Sequence, residues 1–210
     1  MKNRSKDELT DNIDQEFTWR FHEIASMKTT VKSMKDDNKA LSPMVRCLVM
    51  LSYAHWEGFV KYSSRYFFDY MNHLGLNKSQ TNLALVASSL RYSFVNRRKR
   101  DINDLIYQAL NDDHYKPRYN SDVMADADSN LNYEILEIIS SNLGVDITSL
   151  SLKQNLLDEI VLGRRNKMAH GEFDKLDKTY GLEVADAVLY FMQQFKTIME
   201  NMIVQEEFRR

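Results

Sequence analysis

Apolar residues recur at spacings of three and four along most of the chain, and this periodicity predicts helices. In the first forty residues, Leu9, Ile13, Phe17, Phe21, Ile24, Met27, Val31 and Met34 form one stripe. Asp36, Asp37 and Asn38 break it, and Ser42-Pro43 supplies an N-cap hydroxyl and a first-turn proline for a second helix. That helix runs to about Leu74 and stops at Gly75. Leu48, Val49, Leu51, Tyr53, Trp56, Phe59, Val60, Tyr66, Phe67 and Phe68 wrap much of its circumference, so it is expected to be the central element.

A third helical region spans 79–112, interrupted at Arg97-Arg98-Lys99-Arg100. Pro117 and many Asp and Asn residues mark 113–128 as a surface loop. Ser129 or Asn130 caps a short helix from Leu131 to Leu143, ended by Gly144. A further helix runs from near Ser151 to His170, with Gly171 behind it. The last, 180–206, carries Ala185, Val188, Met192, Phe195, Met199 and Met202 at the alternating spacing of an antiparallel bundle seam. No strand alternation of useful length occurs. The expectation is a single all-α domain over 1–210, an antiparallel bundle of long helices with one extra subdomain of shorter ones.

The chain has 210 residues, enough for one proper core, with 6 Gly and 2 Pro, which suits long helices. A formal net charge of -2 excludes a general polyanion binder, so any nucleic-acid contact requires a local basic patch. The single cysteine, Cys47, excludes a disulfide framework and a multi-cysteine zinc site. The charged N-terminus lacks the apolar core of a secretory signal, and no apolar stretch is long enough to span a bilayer. A cytoplasmic protein without membrane contact is expected.

One constellation carries chemistry. Arg165-Asn166-Lys167-Met168-Ala169-His170 ends the helix predicted from near Ser151 to His170. The spacing alone is unspecific, but helical register adds to it. Leu156, Leu157, Ile160, Val161 and Met168 face the core, while Arg165 and His170 lie about 140° apart and flank the opposite side. RNA brings its own nucleophile, the 2′-hydroxyl, and the protein must add proton transfer and stabilisation of phosphate charge. Imidazole and guanidinium supply these without a metal or other cofactor. The competing reading is structural: Lys and Arg in a final helical turn complement the macrodipole, and a terminal His caps carbonyls.

The arrangement resembles the HEPN superfamily, all-α proteins that include many ribonucleases with an Arg-x(4–6)-His motif and a polar residue after the Arg. Arg165, Asn166 and His170 carry that motif here. Ala54-His55-Trp56-Glu57-Gly58-Phe59-Val60-Lys61 is similar to the signature of a prokaryotic subfamily from toxin–antitoxin and phage-defence loci. Trp19-Arg20 and Ser129-Asn130-Leu131-Asn132 are similar to it as well, so the likeness covers roughly 10–200.

The resemblance implies a metal-independent endoribonuclease toxin, a homodimer with its site at the two-fold interface, RNA as substrate and a separately encoded antitoxin as partner. Arg165 would bind the scissile phosphate, His170 would act as base or acid, and Asn166 would position either. The resemblance equally admits a catalytically silent module that binds nucleotide or RNA, or a structural subunit of a defence complex.

Other residues have more than one reading each. Glu57 is either a carboxylate that orients Arg165 or His170, or an ordinary helical carboxylate paired with Lys61 at i,i+4. Arg164 and Lys167 add charge beside the motif. Trp56 and Tyr53 either stack on bases or fill the core. Arg97, Arg98, Lys99 and Arg100 extend an RNA track, form a charged solvated face, or offer a surface to an acidic antitoxin. Asp126 and Asp128 are too few for a metal site and suit turn chemistry.

Overall fold

The computed structural model describes residues 4–93, 99–127, 130–155, 157–158 and 176–210. Its long helices are α1 (Lys6–Ser33), α2 (Leu41–Leu74) and α8 (Lys178–Val204). Between α2 and α8 lie a 3₁₀ turn at Lys78–Gln80 and the shorter helices α3 (Leu83–Ser93), α4 (Lys99–Asn111), α5 (Ser121–Met124), α6 (Tyr133–Leu143) and α7 (Thr148–Ser151). The fold is all-α, with no strand among the described residues beyond an isolated bridge between Thr81 and Arg209.

Each long helix ends where its local chemistry dictates. Ser5 caps α1 by accepting from the Glu8 amide at 3.1 Å, and Asp177 caps α8 by accepting from Tyr180 at 2.7 Å. Gly75 and Gly144 end α2 and α6 in the left-handed region, with φ of 58° and 73°. The start of α2 departs from expectation. Its cap residue is Ala40, and Asn38 Oδ1 accepts from the Ala40 amide at 2.9 Å. The helix therefore begins ahead of Ser42, and Pro43 falls in the first turn, where its missing N–H costs nothing.

Pairings along the helices give their directions. Phe17 of α1 packs on Phe59 of α2, and Glu23 lies by His55, so residue numbers run in opposite senses. Lys28–Asp186, Lys196–Asp14 and Lys6–Glu206 show α1 antiparallel to α8. Trp56 meets Phe191, and Phe59 meets Phe195, so α8 returns parallel to α2. Parallel neighbours need a long connection, and the short helices supply it. Where α8 sets out beside α2, Gly181 allows the contact: a Cβ there would sit 2.7 Å from Val45 Cγ1.

The core is an aromatic seam. Phe17, Phe59, Phe195, Trp56 and Phe191 follow one another with ring centroids 5.8–6.3 Å apart, and all but Phe17 are fully buried. The predicted seam of α8, from Ala185 to Met202, is buried throughout. On α1 the stripe shifts: Phe21 is 37% exposed, and Arg20 turns inward at 3%.

The region between α2 and α6 departs from expectation in part. The 79–112 stretch is helical in two pieces as expected, α3 and α4, with 94–98 outside the described residues. The cap of α6, however, is Asn132, accepting from Ile135 at 2.8 Å, and not Ser129 or Asn130. The segment expected as a surface loop over 113–128 is exposed at many of its described positions, but it contains α5 and buries Pro117, Tyr119, Met124, Ala125 and Ala127. Tyr119 stacks on Phe68, while Asn72 of α2 donates to the Tyr119 carbonyl and accepts from its amide at 2.8 and 3.0 Å. One buried-edge amide thus satisfies a non-helical backbone that would otherwise remain wet. Among the described residues no helix is long and apolar enough to cross a membrane, and no group of His, Cys, Asp and Glu is placed to hold a metal.

The seam makes a stability prediction. Phe195→Ala should cost about 3–5 kcal/mol in urea unfolding, whereas Tyr107→Ala, on a 70% exposed side chain, should stay within about 0.5 kcal/mol. Similar losses at both positions would contradict the arrangement.

Candidate functional site

The octapeptide 54–61 occupies the middle of α2, and its residues divide between α1, the core and the approach to α6. Toward α1, the Arg20 guanidinium is buried beneath Gly58. Its Nη1 pairs with the Glu16 carboxylate and donates to the Glu16 carbonyl at 3.2 Å. The Trp19 ring lies 4.2 Å from Arg20 Cζ, and Tyr62 lies 5.5 Å away, so the charge is faced by two aromatic rings. A Cβ at position 58 would come within 2.9 Å of Arg20 Nη2, so glycine there makes room for the guanidinium.

Tyr66 completes the cluster by donating to Glu16 Oε1 at 3.0 Å. Burial and the Glu16 charge push its phenol up to about 12. His55 has Nε2 2.8 Å from Glu23 Oε2 and its ring edge-on to Trp19 at 4.9 Å. Burial holds its imidazole below the ordinary value, against the upward pull of Glu23 and with a smaller push from Arg20.

Toward the core, Trp56 is fully buried and Tyr53 nearly so. The core reading of both rings holds, and neither ring is available to stack on a base. The Tyr53 hydroxyl has a polar task instead. It accepts from the Leu131 amide at 2.6 Å and donates to Glu57 Oε2 at 2.7 Å.

Glu57 is therefore held by Tyr53 and not by Lys61, which turns to Asp126 at 3.2 Å. This link ties α2 to the 130–132 segment just before α6. One residue further, Asp158 Oδ1 accepts from the Tyr133 amide at 2.8 Å, attaching the chain that leads into the motif to the start of α6.

Arg164, Arg165, Asn166, Lys167 and His170 lie outside the described residues, as do Arg97, Arg98 and Asp128. Lys99 and Arg100 open α4. The described geometry brings together Trp19, Arg20, His55 and Gly58 on one side of α2, and Glu57, Tyr53, Leu131 and Asp158 on another.

A family model described as HEPN_MAE_28990-like HEPN matches residues 9–208. The chain belongs to this HEPN family. Searches of curated proteins and of solved structures found no match.

Sequence reasoning did not find the burial of Arg20, the role of Glu16 or the tether through Asp158. Register held the first signal: Arg20 falls within about 20° of Leu9 around α1, inside the buried sector. A charged residue there requires both a counter-charge and space. Glu16 at i-4 and Gly58 across the helix pair provide them.

Two predictions follow the HEPN octapeptide. Gly58→Ala should destabilise by about 1–3 kcal/mol despite alanine's better helix propensity, because Arg20 must move. In an Arg20→Met background the same change should be less damaging or stabilising, and unchanged destabilisation would exclude the guanidinium as the cause.

The second concerns pH. Because folding lowers the His55 pKa, the unfolded chain binds the proton first on acidification. The stability contribution is present above the ordinary value of 6.5 and is lost as pH falls toward the depressed one. Between about pH 7.5 and pH 5.5, His55→Gln should flatten the fall in Tm. An equally steep fall in both proteins would assign the dependence to other groups.

Proposed function

We propose that this HEPN protein is a metal-independent endoribonuclease, the toxin of a toxin–antitoxin or phage-defence system in the cytoplasm. The supporting observation is that Arg165, Asn166 and His170 stand at the spacing of a HEPN ribonuclease motif inside a family match over 9–208. His170 removes the proton from the RNA 2′-hydroxyl or delivers one to the leaving 5′-oxygen. The 2′-oxygen attacks phosphorus, the bond to the 5′-oxygen breaks, and the products are a 2′,3′-cyclic phosphate and a free 5′-hydroxyl. Arg165 binds the phosphate through its planar fork and stabilises the charge gained on the way.

Asn166 positions phosphate or imidazole, and Arg164 and Lys167 add local positive charge. Glu57, fixed by Tyr53 on α2, is the carboxylate that orients Arg165 or His170. Two protomers meet along their motif helices, so that paired Arg and His residues concentrate positive charge on one strand in a chain of net charge -2. A separately encoded antitoxin restrains the activity.

The test incubates purified protein with total RNA, with and without a chelator, beside His170→Ala and Arg165→Ala. Chelator-resistant cleavage leaving cyclic phosphate ends is expected, reduced by about 10²-fold or more in either variant with helical circular dichroism unchanged. Equal cleavage by all three proteins would remove the site assignment. Binding of RNA or nucleotide without turnover would select the catalytically silent HEPN module.

A further inference from the structure

Away from the octapeptide, a cleft of about 560 Å³ opens along α6 and its C-terminal turn. Helical register builds one wall of it. Tyr133, Glu137, Ser140, Ser141 and Gly144 fall within a sector about 100° wide around α6. The chain turns at Gly144 and passes along the cleft through Val145, Asp146 and Ile147 into α7. Helix α3 supplies a further side, with Ala84 Cβ 3.5 Å from where a Cβ on Gly144 would stand. The size is that of a small-molecule site.

The cleft has a sign. No Lys, Arg or His stands among the described residues that line it, whereas Glu137 and Asp146 both do. Asp146 is fixed in place, since its Oδ1 accepts from the amide and the hydroxyl of Thr148 at 2.8 and 2.5 Å. Those two bonds hold its carboxyl below the usual range, so it stays charged. Both carboxylates act on the Tyr133 phenol. Burial pushes that group above its ordinary value, and Glu137 and Asp146 push it further, against a hydrogen bond with Ser151. Helix α6 also ends here with no basic residue in its last turn, which leaves the negative end of its dipole without an answering charge.

An observation independent of charge points to a ligand. Ser140 is 1% exposed, and its Oγ has no hydrogen-bond partner. It lies at the edge of the cleft wall, about 20° from Tyr133 and about 60° from Glu137 around the helix. Buried hydroxyls are rarely left unpaired, and a bound donor would remove the penalty.

The geometry points to a small organic cation as the ligand. Its ammonium groups donate to Glu137, Asp146 and the Ser140 hydroxyl, and its methylene stem lies along Ala84, Val145 and Ile147. Two carboxylates with no cation beside them exclude phosphate-bearing molecules. A bound metal ion fits less well, because no group of three or more His, Cys, Asp or Glu among the described residues is placed to hold one. The apolar strip would also be idle around a bare ion. This site is separate from the proposed RNA chemistry, and its test reads binding alone.

The probe is 1,5-diaminopentane, titrated by calorimetry into the full chain in about 0.15 M salt, where exposed charges are largely screened. Parallel titrations use 1,5-pentanediol and calcium chloride. Saturable binding of the diamine is expected, with none of the diol. Glu137→Gln and Asp146→Asn should each weaken it about tenfold or more. Both residues are exposed, and Asp146→Asn keeps an oxygen for Thr148, so the fold is not at risk. Ser140→Ala should weaken binding about threefold or more while leaving Tm unchanged or raised, because it deletes a hydroxyl that has no partner in the free protein.

Asp37→Asn, on the turn between α1 and α2, should leave binding unchanged. No saturable binding, equal binding of the diol, tighter binding of calcium, or indifference to both carboxylate variants would each overturn the proposal. So would equal weakening by Asp37→Asn, which would make the attraction one of net charge.

Discussion

A helix of 34 residues with large apolar side chains around most of its girth cannot leave any broad side in water. That demand on α2 organises everything else. Helix α1 covers one side and α8 another, while α5 and α6 close much of the remainder. The aromatic seam through Phe59 and Trp56 lies where all three long helices meet. Because α8 runs parallel to α2, the chain has to travel back before it can pack, and the short helices are that return path. They are also where Asn72, Tyr53 and Asp158 satisfy backbone amides or carbonyls outside the long helices.

The segments that resemble a defence-type HEPN signature interlock. Trp19-Arg20 belongs to α1 and the octapeptide to α2, yet Gly58 exists to admit Arg20, and His55 leans on Trp19. Leu131 reaches the same stretch of α2 through the Tyr53 hydroxyl. Much of this signature records how helices are locked together, and the Glu57 carboxylate is itself held by the Tyr53 hydroxyl. A family likeness in these residues therefore speaks to the frame, and the proposed activity rests on the Arg–Asn–His set. That division explains why a HEPN frame is compatible with cleavage or with silent binding.

Long-range periodicity was readable because burial on one face imposes it. The stripe of α1, the all-round burial of α2 and the seam of α8 each emerge from spacing alone, as do the terminators Gly75 and Gly144, where a positive φ is required. Contacts made by single polar groups were not readable. Asn38, Asn72 and Asn132 look alike in a sequence, and only tertiary placement tells which one opens a helix, pins a loop or caps a turn. Tyr53 read as core, and its ring is core, but its hydroxyl carries a link that no pattern announces. Arg20 was visible in register, yet an inward guanidinium is so costly that the apolar Phe21 beside it looked the better choice. The motif at 165–170 was legible as residues and spacing, and lies outside the described residues.

The stretch between Asp158 and Leu176 is held at its two borders. Asp158 is fastened to the first amide of α6, and at the far border Leu176 is buried while Asp177 starts α8. Each border is thus an aspartate spent on a backbone amide at the opening turn of a helix. Asp158→Ala or Asp177→Ala would leave that amide without its acceptor, at a cost of about 0.5–2 kcal/mol to the start of α6 or of α8.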